Sequence, residues 1–201
     1  MSKFTMVFGT HGSGKTTLVK NFLMSDYESS DGDFLFDCFD FYEKKSEYGK
    51  YTISKGEKFV AVGSYQNKCG GADGIKDNES YFGIIRLLVD NFKDKDIFVE
   101  GVMQHRSEDL LELFNYIEGK GFEINLVFLT IDLNVAVARI VSRSGKEPKI
   151  KNVKGKMSGV VNQYNFFNSL NRFSNCILID TTDLDSDTVF DTVRNIMYGG
   201  V

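Results

Sequence analysis

Apolar residues fall into short unbroken runs along this chain, and between the runs they recur at helical spacing. Residues 4–8, 34–39, 97–100, 125–129 and 176–179 are short, strongly apolar and rich in β-forming side chains. Such runs predict strands covered on both faces, as in a parallel sheet. Helical patterns alternate with them. Leu18, Val19, Phe22 and Leu23 mark the first helix, and Phe82, Ile85, Leu88 and Val89 a second over 78–92. Leu110, Leu113, Phe114 and Ile117 mark a third over 109–118. A fourth over 134–143 opens on Asn134 as its cap, and further patterns cover 157–172 and 187–198. The alternation predicts an α/β three-layer sandwich with a five-stranded parallel sheet and right-handed crossovers.

One stretch breaks the alternation. Residues 48–54 and 58–64 are β-like runs joined across Lys55-Gly56-Glu57, which predicts an inserted β-hairpin within about 45–75. An insertion at the carboxyl end of a strand lies where open α/β sheets bind ligands. The hairpin is therefore either an acceptor-binding element or a closure of the sheet edge.

Between the first strand and the first helix, residues 9–16 read Gly-Thr-His-Gly-Ser-Gly-Lys-Thr, which fits the phosphate-binding pattern G-x-x-x-x-G-K-[ST]. A triphosphate is a dense anion that needs several donors converging on one point. Gly9, Gly12 and Gly14 let the backbone bring N–H groups onto it, with Ser13 between them. The helix beginning near Lys15 turns its positive end the same way. Lys15 supplies a point charge for the β- and γ-phosphates, Thr16 a hydroxyl for Mg²⁺, and Thr17 a hydroxyl for the α-phosphate. His11 holds a free position of the loop and reads as a spectator.

Bulk properties narrow the picture less. A chain of 201 residues is expected to form one domain, 1–201, with 42% hydrophobic and 26% charged residues typical of a soluble protein. No segment has the apolar length of a membrane span, and the run at 4–8 reads as a strand rather than a leader. Cys38, Cys69 and Cys176 have neither zinc spacing nor a pairing framework, so free thiols in a reducing cytoplasm are the expectation. A net charge of −4 does not advertise nucleic-acid binding, but it leaves room for a local basic patch.

Further candidates follow the strands. Glu100 ends the run 97–100 and precedes Gly101, where an acid would lie beside a γ-phosphate and its magnesium. Asp132 follows the run 125–129, and Arg139 and Arg143 share one face of the next helix. Lys146, Lys149, Lys151, Lys154 and Lys156 come after them. A cationic lid over about 139–157 would neutralise a transferring phosphoryl group and exclude water; a solvated basic face is the plainer alternative. Asp73, presented after Gly70-Gly71, and Asp37 and Asp40, near the second apolar run, compete with Glu100 to orient an acceptor hydroxyl. Gln104, His105 and Arg106 follow Glu100 at the mouth of the same cleft, with Arg106 suited to an acceptor phosphate.

Taken in order, these elements resemble the nucleoside-monophosphate-kinase-like branch of P-loop kinases, over nearly the whole chain. The resemblance rests on residues 9–16, Glu100, Arg139, Arg143 and a last strand ending at Asp180. It implies a five-stranded parallel core, ATP as donor, magnesium as cofactor, and a loop at 180–183 near the adenine. Val62-Gly63-Ser64-Tyr65, Cys69-Gly70-Gly71-Ala72-Asp73, Val99-Glu100-Gly101 and Lys151-Asn152 also look like small kinases of tailed phages, including 5-hydroxymethyluracil DNA kinases. That narrower resemblance implies phosphorylation of a base hydroxymethyl group in DNA, in the host cytoplasm. The DNA would be held by Lys146 to Lys156 and by Lys50, Lys55 and Lys58 of the hairpin, with Tyr48, Tyr51 and Tyr65 available for stacking. The absence of tryptophan and the acidic balance depart from it. A free deoxynucleoside or deoxynucleotide as acceptor, and a non-catalytic nucleotide-binding module, are the alternatives.

Overall fold

The computed structural model describes residues 1–25, 40–65, 75, 77–101 and 106–199. In chain order its elements are β1 (Lys3–Gly9), α1 (Lys15–Ser25), β2 (Asp40–Ser46), β3 (Gly49–Lys55) and β4 (Phe59–Val62). They continue with α2 (Asn78–Asn91), β5 (Asp96–Glu100), α3 (Ser107–Gly119), β6 (Glu123–Thr130) and α4 (Leu133–Ser144). The last are α5 (Ile150–Ser169), β7 (Asn175–Asp180) and α6 (Ser186–Tyr198).

The strands form one sheet in the order β2-β3-β4-β5-β1-β6-β7. Five of them, from β4 to β7 in that order, pair in parallel, and β2 and β3 extend the sheet antiparallel. The parallel strands alternate their apolar side chains between two layers. Phe4, Met6 and Phe8 of β1, with Ile97 and Val99 of β5 and Leu126 and Phe128 of β6, join the core built with α2, α3 and α5. Val7, Phe98, Val127 and Leu129 point the other way, into the core built with α1 and α6. An unbroken apolar run is the sequence of a strand buried from both sides.

The strand expected at 34–39 lies outside the described residues. The place beside β5 belongs to Phe59–Val62, expected only as one arm of the hairpin. Val60 and Val62 fill one core and Phe59 and Ala61 the other, so β4 has the two-sided burial of a central strand. The expected hairpin exists as β3 and β4, paired from Ile53↔Val62 to Lys55↔Val60. Because β4 runs parallel to β5, its connection at 56–58 lies at the amino edge of the sheet, away from the carboxyl edge that carries residues 9–16. Lys55 and Lys58 are thereby placed at the edge opposite the expected site. The β2–β3 turn, with Lys50, lies at the carboxyl edge.

Two helix starts are also corrected. Asp132, not Asn134, caps α4: its Oδ1 accepts from the N–H groups of Asn134 and Val135 at 2.7 and 3.3 Å. α5 begins at Ile150, seven residues before the expected 157, and takes in Lys151, Lys154 and Lys156. Val153, Met157 and Val160 give this first stretch its buried face, and Val153 packs with Ile131, Ala136 and Ile140 in a small separate cluster. Tyr65 is fully buried and so is not presented for stacking, while Tyr48 and Tyr51 are half-buried against the core.

Candidate functional site

The turn after β1 builds the site. Gly12 and Gly14 have φ of 83° and 91°, the left-handed region that lets successive N–H groups point inward. Gly12 also has no room for a side chain, since a Cβ there would lie 3.1 Å from the Ala136 carbonyl of α4. Ser13 N and Oγ both reach the Thr10 carbonyl, at 3.3 and 2.9 Å, and fix the turn from within. Lys15 Nζ lies 3.1 Å from the same carbonyl. The amino end of α1 opens onto this turn.

Glu100 arrives from the neighbouring strand. Val7 and Glu100 are register partners, so the end of β5 stands beside the start of the glycine turn. The Tyr81 hydroxyl donates to the Glu100 carbonyl at 2.9 Å, and Gly101 N donates to Val7 O at 2.8 Å. Gly101 has no alternative, because a Cβ there would lie 2.6 Å from the Phe8 ring. Fixed in this way, buried Glu100 accepts a hydrogen bond from Thr16 Oγ1 at 3.2 Å. A hydroxyl and a carboxylate converging on one point are the hard oxygen donors that suit Mg²⁺, so Thr16 and Glu100 fit the ion the sequence implies.

α4 and the loop after β7 close the other side. Arg139 donates to Gly12 O at 3.2 Å and to Thr181 O at 3.1 Å, tying the glycine turn to that loop. Thr181 Oγ1 lies 3.2 Å from Ser13 O and 2.9 Å from Thr130 O. Thr182 Oγ1 accepts from Asp132 N at 2.8 Å and donates to Asp180 Oδ1 at 2.5 Å. Asp185 caps α6 at the rim, and the N–H of Thr188 holds its carboxyl below the usual value.

The result is a cleft of about 680 Å³ lined by the glycine turn, the start of α1, Glu100, Arg139, Arg143 and the start of α6. Among the described residues four cations, Lys15, Lys20, Arg139 and Arg143, and two carboxylates, Glu100 and Asp185, line it, in a chain whose net charge is −4. A local excess of positive charge in a walled cleft focuses attraction on an anion.

Of the residues singled out from sequence, Gly12, Ser13, Gly14, Lys15, Thr16, Thr17, Glu100, Arg139 and Arg143 come together in this cleft. Asp37, Asp73, Gln104 and His105 lie outside the described residues. Arg106 is exposed at the start of α3 and pairs with Asp109 at 3.0 Å. Sequence reasoning missed Lys20, Leu184 and Val189, while Thr181 belongs to the loop it expected near the adenine. His11, read as a spectator, lines the cleft, and its Nε2 lies 2.7 Å from Lys156 Nζ. Among the described residues no cluster of three or more His, Cys, Asp or Glu gathers for a metal, and no helix is long and apolar enough to cross a membrane.

No protein-family model matches the chain, and no curated protein matches it in sequence. Its fold does match solved structures. The tunicamycin resistance protein of Deinococcus radiodurans superposes with a TM-score of 0.53 at 15% identity, covering 98% of this chain and 96% of that one. A gluconokinase from Sinorhizobium meliloti gives 0.53 at 14% identity, over 98% of this chain and 90% of that one. At such identities the likeness is one of fold alone: a three-layer α/β domain.

Proposed function

We propose that the protein is an ATP-dependent phosphotransferase that moves the γ-phosphate to a hydroxyl of a nucleotide-like acceptor. The observation that carries this reading is the convergence, in one cationic cleft, of the glycine turn and Lys15 with the Thr16–Glu100 pair. The turn amides and Lys15 hold the β- and γ-phosphates. The loop at 180–183 and the start of α6 receive the adenine. Thr16 and Glu100 would hold magnesium, which would supply charge neutralisation for the phosphates. Arg139 keeps the phosphate and adenine loops in register, and Arg143, one turn further out, faces the phosphates. In the reaction the acceptor oxygen bonds to the γ-phosphorus and the bond to the β,γ-bridging oxygen breaks. ADP leaves, and the hydroxyl proton passes to a carboxylate. Glu100, Asp73 and Asp37 are the candidates for that carboxylate. Residues 139–157 act as the lid, and the segment at 45–75 contributes to the acceptor side.

The narrower form of the proposal takes the hydroxymethyl group of 5-hydroxymethyluracil in DNA as acceptor. The exposed Lys146, Lys149, Lys151 and Lys154, which follow Arg143 of the cleft in the chain, support it. The test is transfer of label from γ-labelled ATP, with magnesium, to a panel of acceptors. The panel holds free deoxynucleosides and deoxynucleotides, gluconate, and DNA containing thymine or 5-hydroxymethyluracil, with Lys15→Ala as the inactive control. Label in hydroxymethylated DNA alone establishes the narrower form, and label in a free deoxynucleotide alone makes this a metabolic kinase. Label in gluconate alone removes the nucleotide-like acceptor. Nucleotide binding with no label anywhere returns the protein to a nucleotide-binding module.

A further inference from the structure

The lysines after Arg143 are not equivalent. Lys146, Lys149, Lys151 and Lys154 are exposed, whereas Lys156 is half-buried. Helical spacing explains the difference. Val153, Met157 and Val160 define the inward face of α5, and Lys156 stands three residues after Val153, on the shoulder of that face. Its ammonium reaches His11 Nε2 at 2.7 Å. An ammonium has only donors, so Nε2 is the acceptor and the ring proton sits on Nδ1. His11 lines the phosphate cleft, and Lys156 is not among the lining residues. The ammonium is therefore held at the rim by a neutral group. Among the described residues no ion pair involves Lys156, so no carboxylate competes for it.

A neutral imidazole is a weak partner for an ammonium compared with a phosphate oxygen carrying full charge. Lysine has a long flexible stem and three rotatable donors, so the head can move without the helix moving. We propose that Lys156 is a γ-phosphate-binding residue, stored on His11 and transferred to the terminal phosphate when a nucleoside triphosphate enters the cleft. His11 is the positioning residue that keeps the ammonium at the rim. The pair would make the site favour a triphosphate over a diphosphate, because only the triphosphate reaches the ammonium. This rests on the cleft binding nucleotides, and it requires no knowledge of the acceptor.

The experiment is calorimetric titration of wild type, Lys156→Met and Lys156→Arg with ATP and with ADP, in magnesium. The wild type should bind ATP more tightly than ADP. Lys156→Met should weaken ATP about tenfold and leave ADP within about twofold, which is the loss of one charge-assisted contact. Lys156→Arg should restore most of the preference. Equal affinities of wild type and Lys156→Met for both nucleotides would overturn the proposal. So would an equal loss for both, which marks a structural role. If Lys156→Met melts lower than wild type without ligand, the ATP-to-ADP ratio of Lys156→Arg decides: a wild-type ratio supports the proposal and a collapsed one overturns it. A wild type that binds neither nucleotide removes the reading of the cleft itself, and the proposal with it.

Discussion

At Gly12 two independent constraints meet, and they separate it from Gly14. Both have positive φ, 83° and 91°, so any side chain at either position strains the backbone. A Cβ at Gly14 would meet nothing within 4 Å, but one at Gly12 would lie 3.1 Å from the carbonyl of Ala136, a backbone atom that cannot rotate aside. Gly14→Ala should cost the conformational penalty alone, about 1–2 kcal/mol. Gly12→Ala should cost clearly more, because α4 must shift with it. Urea unfolding of the two variants measures the difference, and equal losses would show that α4 does not back the turn. These residues were legible in the sequence because phosphate binding demands them locally, within eight positions. Tyr65 was not legible in the same way. Its phenol makes it a plausible stacking surface, yet it is buried against α1 and the sheet, which only the long-range fold decides.

At the scale of elements, α4 carries more of the site than its length suggests. Its Ala136 backs Gly12, and its Arg139 spans 127 residues of sequence to hold Gly12 O. Asp132 fixes where the helix starts, through two backbone amides and through Thr182. Asp132→Ala should cost about 1 kcal/mol of stability, as the loss of an N-cap does. It should also weaken ATP binding, because the start of α4, the helix that carries Arg139, loses its side-chain cap, while the backbone N–H of residue 132 still reaches Thr182. Asp132→Asn should retain most of both. Thermal unfolding with and without ATP measures the two effects, and a stability loss with no change in ATP binding would separate the cap from the site. The helices themselves were readable from periodicity, and so were the starts of α1 and α2, but those of α4 and α5 were not. Asn134 and Asp132 are both good caps, and only the amides they reach distinguish them. For α5, the charges of Lys151, Lys154 and Lys156 masked an apolar face that begins at Val153. The parallel strand beside β5 was missed for a different reason. Residues 59–62 read as one arm of a hairpin, and that they also pair with β5 depends on a partner more than thirty positions away.

Across the whole molecule, protons set the limits of stability. Among the described residues four carboxylates are held below their ordinary values, 3.8 for aspartate and 4.5 for glutamate: Asp77 by the N–H of Ser80, Asp90 by Lys120, Glu123 by Lys3 and Asp185 by the N–H of Thr188. Each favours the folded state above its ordinary value, and that contribution is lost as the pH falls through the lowered one. The alkaline side is set differently. β7 is an edge strand, so Cys176 is half-buried rather than sealed, and burial still pushes its thiol from 9.0 up to about 11. Burial raises Tyr51 as well, and Glu47 is the main cause of a raised Tyr48. Above 9.0 the unfolded chain has given up the Cys176 proton while the folded chain keeps it, so stability falls as the pH rises towards 11. The unfolding free energy should therefore be level between about pH 5 and pH 8 and decline on both sides. Cys176→Ala should make the alkaline limb shallower by up to one proton and leave the acid limb where it is. Urea unfolding at a series of pH values on both proteins measures this. An unchanged alkaline limb would mean that the folded protein does not hold the Cys176 proton, and that the edge at β7 is more open to water than its packing against α5 and α6 implies.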